Sequence, residues 1–458
     1  MNLTKKNTAF LLFAALLSLA SCSPAANDGD SSDGTVTVEF WHTMGKANQD
    51  ILVSMISAFE AENPGIKIKQ SAAAGGYDDL EALILKNVQT GTLPTMAFCY
   101  PDHVAEYLSS GGSEGIVSDM TSYINDEELG FKASEGSHKD SNGNVVYGKD
   151  DYVKTFWEEG SSYTKSGVYS VPFAKSTEAL FYNKDVFDQN NWTVPTTWDQ
   201  MWTLCEEIKA TYGDEIVAPL GYDSDSNLFI SFCEQRDIPY TSATGDQHYL
   251  FDNEKAKAMV TDLKAKYDEG LFITKGSSGN NTYTSSKFTA GEILMSIGST
   301  GGTTYNQTMN FTVGVAEPPA YDLSKKAVIS QGPSICFFNG ISQNATPKQL
   351  RAAWKFYKFI SSAENSTNYA ITTGYQPVRT SSYETATYKS FASDTTSLMN
   401  KVASVSSGML ESYFNSPVFV GSAKARNEVG SLISAVLLGS KTVDQAFEDA
   451  FSNCVNAS

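Results

Sequence analysis

The sequence predicts an α/β fold spread over more than one domain, and two observations carry that expectation. Strand-like and helix-like stretches alternate between residues 35 and 99 in β-α-β-α-β order, the mark of a mainly parallel sheet with helical crossovers. The chain has 458 residues, more than one hydrophobic core ordinarily organises, so two or three domains are expected. Hydrophobic residues make up 41% of it and aromatic residues 12%, enough to fill packed cores.

The elements follow in order. Residues 35–40 alternate and are β-rich, so they read as a strand. Over residues 49–62, Ile51, Met55, Ile56 and Phe59 recur at a helical period, and Asn63-Pro64-Gly65 stops that helix. Residues 66–68 form a second strand. A second helix covers 77–90, with Leu80, Leu83, Ile84 and Val88 on one face, and residues 96–99 are a buried strand. Residues 127–167 lack apolar periodicity and are expected as a surface insertion. Asp140 to Asn144 there is a plain turn, because the glycine is misplaced for a calcium loop and the closing glutamate is missing. Strands are expected at 169–173 and 179–182. Thr197 is an N-cap candidate for a helix whose inner face is Met201, Leu204, Cys205 and Ile208. Further strands are expected at 293–297, 311–315 and 329–338, the last with Gly332-Pro333 inside it. Helices are expected at 347–360, 429–438 and 443–451, and no tandem repeat is visible.

The N-terminus reads as an address. Lys5 and Lys6 precede an uncharged run at 9–20, whose helix would reach about 18 Å, short of a bilayer core of about 30 Å. This is an export signal. It ends in Leu19-Ala20-Ser21-Cys22, which resembles a bacterial lipobox, so residues 1–22 are expected to be removed up to Cys22, whose thiol takes a lipid. Residues 23–34 are small, polar and acidic, a flexible tether. The expected location is the extracytoplasmic side of the cell membrane, held by lipid only.

With 33 basic against 52 acidic residues and a net charge of −19, nucleic acid is excluded as a partner. Cys99, Cys205, Cys233, Cys336 and Cys454 form no CxxC and read mostly as buried small hydrophobes, with one incidental disulfide open. The four histidines, His42, His103, His138 and His248, form no HxH or HExxH spacing, so neither metal nor cofactor is expected.

Several motifs taken together resemble a known family. They are Phe40-Trp41-His42-Thr43-Met44, Phe59-Glu60-Ala61-Glu62-Asn63-Pro64, Val171-Pro172-Phe173, Phe181-Tyr182-Asn183-Lys184-Asp185, Pro195-Thr196-Thr197-Trp198, Phe288-Thr289-Ala290-Gly291 and Thr373-Gly374-Tyr375-Gln376-Pro377-Val378. In this order they are similar to the extracellular solute-binding proteins of carbohydrate-type ABC importers, and within that family to the glycerol-3-phosphate-binding members. The resemblance covers about residues 36–451. It implies a two-lobe periplasmic-binding-protein-like fold (type II) with a ligand cleft between the lobes. Lobe one would take 35–172 and 318–385, lobe two 173–317 and 386–458, with hinge breaks near Pro172 and Pro318. It implies a monomer that binds a small molecule, closes on it, and delivers it to membrane permease subunits.

The resemblance also implies a cleft, position by position. Tyr77 follows Gly75-Gly76 at the opening of the second helix. The family's acidic position after the third strand holds Pro101 here, with Asp102 one step later. Ser176, Phe229 (where the family has Trp), Ser299, Thr300, Gly332 and Tyr375 follow, and Arg426 falls at the phosphate site. An arginine fork suits a phosphate, serines and backbone N–H groups can complete an anion shell, and aromatic faces cover carbon. Lys175 and Lys424 are candidate second cations. Each position also has a plainer reading: Tyr77 as a surface aromatic, Tyr375 and Phe229 as core, Gly332 as a bulge, Arg426 as a solvated charge. Arg426 and Ser176 favour glycerol 3-phosphate or a glycerophosphodiester; Pro101 and Phe229 favour a neutral sugar or oligosaccharide. The expectation leans to the phosphate ester. The reading from another class is a surface glycoside or phosphodiester hydrolase, since carboxylates are plentiful; the expectation is a binding protein and not an enzyme.

Overall fold

The computed structural model describes residues 34–456, apart from 114, 136, 140–142, 280, 281 and 340–344. The export signal, Cys22 and nearly all of the tether lie outside the described residues, as does most of the turn at Asp140.

Two five-stranded sheets organise the chain. The first runs in the spatial order Ile66–Ala72, Val36–His42, Met96–Cys99, Ser334–Phe337, Val171–Pro172. The second runs Val313–Ala316, Glu178–Asn183, Ile293–Ser299, Ala218–Tyr222, Phe272–Thr274. Both are mainly parallel, and one strand in each is reversed: Ser334–Phe337 is antiparallel to both neighbours in the first, Glu178–Asn183 in the second. Each reversed strand is the first that the chain makes after arriving from the other lobe, so it enters its sheet from the hinge end. Helices cover both sheets, giving separate cores around Phe40, Phe98, Trp354 and Tyr357 and around Leu220, Phe232, Val429 and Phe447. A smaller cluster with Phe181, Phe288 and Val402 backs the second sheet.

Local signals explain several elements. Thr197 caps the helix Trp198–Tyr212 by accepting from Gln200 N, and Gln200 returns the bond in a capping box. Met201, Leu204, Cys205 and Ile208 are buried along its inner face, as the period requires. Thr346 and Pro347 start the helix Pro347–Ile360 in the same way, with Leu350, Ala353, Trp354 and Tyr357 inward.

Two expectations are corrected. The strand expected over 329–338 is broken into Val328–Ile329 and Ser334–Phe337, which belong to different sheets. Gly332 sits between them at φ +85°, and a Cβ there would stand 2.0 Å from Ala174 O. The left-handed turn and the close approach of the neighbouring segment both require glycine. The segment 127–167 is a surface insertion only in part: the hairpin Ser137–Lys139 with Val145–Tyr147 is largely exposed, but Tyr152 and Phe156 are fully enclosed, and Asp151 accepts from Ser381 N (2.8 Å) and Ser381 Oγ (2.6 Å) beside Arg379. Its few aromatics seal the first core without a regular period.

The chain passes between lobes at 173–177, 329–333 and 413–416, and the helix Leu398–Gly408 also reaches across to lay Leu398 and Val402 on the second sheet. Ser176 and Gln331 exchange backbone bonds at 2.9 and 2.8 Å, and Val328–Ile329 pairs with Tyr413–Phe414. Glu317-Pro318-Pro319 stays on the second lobe, where Gln235 donates to Pro319 O, and the chain crosses back only after Ile329. Phe173, Ala174, Met409 and Tyr413 pack into the first core. The five described cysteines are buried, and none of them is in a disulfide.

Candidate functional site

A cavity of about 2050 Å³ opens between the two sheets, lined by both lobes and all three crossing segments. Parallel strands place it: Met96–Cys99 ends at Tyr100 and Ile293–Ser299 ends at the Ser299 turn, so their carboxyl ends face the same gap. Tyr77, Asp102, Ser176, Ser299, Gly332, Tyr375 and Arg426 all line it. Ser299 Oγ lies 3.3 Å from Ser176 Oγ, joining the two expected serines.

Phe229 and Thr300 do not line it. Phe229 is fully buried among Tyr240, Phe251 and Phe447, because the helix Asp225–Gln235 turns that register into the second core and presents Asn227 to the cleft. Thr300 is fully buried too; it fastens the turn by bonding Thr177 through Oγ1 (3.1 Å) and N (2.8 Å). Lys175 lines the cleft but is only 1% exposed, paired with Glu159 at 2.5 Å and donating to Gly332 O at 2.9 Å. Lys424 is held by Glu428 at 2.6 Å and does not line the cavity.

Aromatic rings form the first-lobe wall. Tyr77 and Tyr100 lie 4.4 Å apart between centroids, and Tyr369 and Tyr375 stack at 5.9 Å. Tyr375 rests on Gly301 of the facing turn, where a Cβ would meet its ring at 2.8 Å. Burial pushes the Tyr375 hydroxyl up, so it stays protonated as a donor.

The polar lining carries an excess of acid: Asp50, Asp102, Glu159, Glu178, Asp223 and Asp225 against Lys46, Lys175, Lys275 and Arg426. Lys46 and Lys175 are already paired with Asp50 and Glu159. Asp225 is saturated by Thr274 Oγ1 (2.5 Å), Gly276 N (2.8 Å) and Ser434 Oγ (3.1 Å). Glu178 accepts from Tyr222 OH (2.5 Å) and Asn227 Nδ2 (2.9 Å), yet burial outweighs these bonds and pushes its carboxyl up to about 6. Asp223 accepts from Thr284 Oγ1 at 2.7 Å and is likewise raised by burial.

Arg426, on the helix Ser422–Leu437, donates to Asn227 Oδ1, the same side chain that donates to Glu178. Across the cleft, Asp78 faces Asn427 and Arg426, and its hydrogen bond with His103 is the main reason its carboxyl sits below the usual range. Burial works against charge on His103, but Asp78, Asp102 and Glu81 outweigh it and raise its pKa. Finally, Tyr369 OH, Asn415 Oδ1 and Ser416 Oγ are buried at the cleft wall with no hydrogen-bond partner among the described residues.

Sequence reasoning missed Glu178, Asn227, Asp223, Tyr369 and the 415–416 segment. Glu178 had a local signal, a lone acid opening an apolar strand run; the others had none. The run Gly111-Gly112-Ser113-Glu114-Gly115 has the spacing of a nucleophile elbow, but it follows the helix Pro101–Ser109, where an elbow needs a strand.

A family model for bacterial extracellular solute-binding proteins matches residues 54–395, and the chain belongs to that family. It is 23% identical over 371 residues to the sn-glycerol-3-phosphate-binding periplasmic protein UgpB of Escherichia coli (strain K12), over 77% of each chain. Its fold is similar to UgpB from Mycobacterium tuberculosis in complex with glycerophosphocholine, with TM-score 0.72 and 17% identity, over 92% of this chain and 98% of that one. It is also similar to the GacH receptor of Streptomyces glaucescens, solved unliganded and with acarbose, with TM-score 0.71 and 19% identity, over 92% and 97%. Lmo0181 from Listeria monocytogenes, in complex with cycloalternan, gives TM-score 0.72 and 18% identity, over 92% and 98%. These structural likenesses concern the two-lobe fold.

Proposed function

We propose that this solute-binding protein captures a neutral oligosaccharide between its lobes and hands it to the permease of an ABC importer. The observation that carries the ligand class is the set of buried polar atoms without partners among the described residues, Tyr369 OH, Asn415 Oδ1 and Ser416 Oγ, on a cleft wall of packed tyrosines. Buried polar groups need partners, and sugar hydroxyls both donate and accept. Tyrosine faces suit the C–H faces of pyranose rings. Asp102 and Asp223 can accept further hydroxyls, and a neutral ligand meets no like-charge repulsion from them. The cavity of about 2050 Å³ exceeds the roughly 300–1,000 Å³ that suits a drug-sized ligand.

A second reading rests on Arg426, which lines the cleft without an ion-pair partner within 4 Å among the described residues and would suit glycerol 3-phosphate or a glycerophosphodiester. Calorimetric titration with gluco-, xylo- and galacto-oligosaccharides, glycerol 3-phosphate and glycerophosphocholine separates the two. Oligosaccharide binding without hydrolysis products supports the first. Binding of the phosphate esters alone, weakened by roughly 2–5 kcal/mol in Arg426→Ala, replaces it with the second; product formation replaces both with the hydrolase.

The same reading places a monomer outside the cell membrane on a lipid held by Cys22. A Cys22→Ser variant expressed in the native host should leave the membrane fraction and lose the lipid mass.

A further inference from the structure

Two tyrosines at the mouth of the cleft are left out of the inner wall. Tyr283 is 55% exposed and Tyr305 is 74% exposed, and both line the cavity. Tyr283 immediately precedes the helix Thr284–Ala290, and Tyr305 lies in the 3-10 helix Thr300–Asn306. These two elements pack against each other, so both rings rise from one rim of the second lobe. Lys275 Nζ sits 4.0 Å from the Tyr283 ring centroid, covering one face and fixing the ring's direction. Ser286, Thr289 and Thr304 add hydroxyls to the same rim. A soluble protein gains nothing in stability by holding large rings in water, and an ordered, exposed aromatic at a cleft mouth is suited to a ligand surface.

We propose that Tyr283 and Tyr305 form outer subsites that stack the distal units of a linear oligosaccharide, so the protein selects longer chains over mono- and disaccharides. This rests on the oligosaccharide reading above. The inner tyrosines and the partnerless atoms grip one end of the chain. The remaining units run outward past the rim hydroxyls and lie on the two exposed rings. Lys275 acts as a positioning residue, holding Tyr283 upright with its outer face open.

The test is a chain-length ladder measured by calorimetry, with purified α-1,4-gluco-, β-1,4-gluco- and β-1,4-xylo-oligosaccharides from monomer upward. In the series that binds, wild-type affinity should climb with length until the rim is reached and then level off. Tyr283→Ala and Tyr305→Ala should each remove roughly threefold to tenfold from the longer members and leave the shortest binding member unchanged. Tyr283→Phe, which keeps the ring, should restore the climb. A wild-type ladder flat from the shortest binding member overturns the outer subsites and leaves the oligosaccharide reading intact, as do alanine variants that weaken all lengths equally or none. Absence of binding by every series overturns both. Unchanged circular dichroism of the alanine variants confirms that they fold, and both positions are exposed enough for that to hold.

Discussion

Replacing Lys175 with methionine should loosen the hinge and cost a large share of the protein's stability. Lys175 is 1% exposed and Glu159 4% exposed, with Nζ 2.5 Å from the carboxylate. The ammonium also donates to Gly332 O at 2.9 Å, and Ser330 Oγ donates to the other Glu159 oxygen at 2.8 Å. The pair therefore ties the first crossing segment to the second. Methionine fills the stem's volume but leaves a buried carboxylate with one hydroxyl partner and a carbonyl with none. Breaking one side of such a pair costs about 3–5 kcal/mol, against a total of about 5–15 kcal/mol for a folded protein. The double variant Lys175→Met/Glu159→Leu removes both charges and should recover most of that loss, because no uncompensated ion remains. Urea unfolding followed by tryptophan fluorescence and circular dichroism reads both. A loss below about 1 kcal/mol in Lys175→Met, or a double variant as unstable as the sum of its singles, would refute the reasoning.

Three further outcomes are expected. Glu178 ionises near 6 in the folded protein against 4.5 as its ordinary value, so the folded state holds more protons than the unfolded one between those values and stability falls as pH rises through that window, by about 2 kcal/mol. In Glu178→Gln this part of the slope should vanish from urea midpoints taken across the window. Gly332→Ala should destabilise by about 2–3 kcal/mol, since its φ is +85° and its Cβ would strike Ala174 O; Gly76→Ala, at φ −97° with nothing nearer than 3.9 Å, should be close to neutral in the same denaturation assay. Saturating ligand should shrink the radius of gyration in small-angle scattering, because a ligand touching both lobes favours the closed state; an unchanged profile would remove the cleft as the binding site.

The sequence made some of this legible, and the reasons differ by element. Periodicity sufficed for Trp198–Tyr212 and Pro347–Ile360, because a one-sided apolar stripe with a Thr cap has few other solutions. It failed over 329–338, where an apolar run is shared by two sheets and only Gly332-Pro333 marks the change. It failed also at 127–167, whose buried Tyr152 and Phe156 answer to partners more than two hundred residues away, such as Tyr357 OH, 3.0 Å from Tyr152 OH. In the cleft, positions on strand ends and turns, such as Ser176, Ser299 and Gly332, fell where the motifs suggested. Phe229 and Thr300 did not, because which side of a buried helix or tight turn faces the cleft depends on a rotation that local sequence does not record.

Arg426 shows why the position of a cation does not by itself choose a ligand. On its own lobe it is engaged through Asn227, which also holds Glu178, and across the cleft it faces Asp78. A phosphate arriving there would compete with the Asn227 amide for the guanidinium and would meet the field of Glu178, which Asn227 also holds, and of Asp78. At an effective dielectric of 20, two like charges about 8 Å apart, roughly the spacing when one side chain intervenes, repel by about 2 kcal/mol, which offsets much of what a forked arginine contact returns. Part of that repulsion disappears if Glu178 takes up a proton, which its raised pKa permits in mildly acidic surroundings. A phosphate ester would therefore bind more tightly as pH falls toward 6, whereas a neutral oligosaccharide held by tyrosines, Asp102 and Asp223 would be far less sensitive. Titrating wild type and Glu178→Gln with glycerophosphocholine and with an oligosaccharide on both sides of pH 6 reads this directly. Pronounced tightening of the phosphate ester at low pH, absent in Glu178→Gln, would return Arg426 to the role of anion receptor.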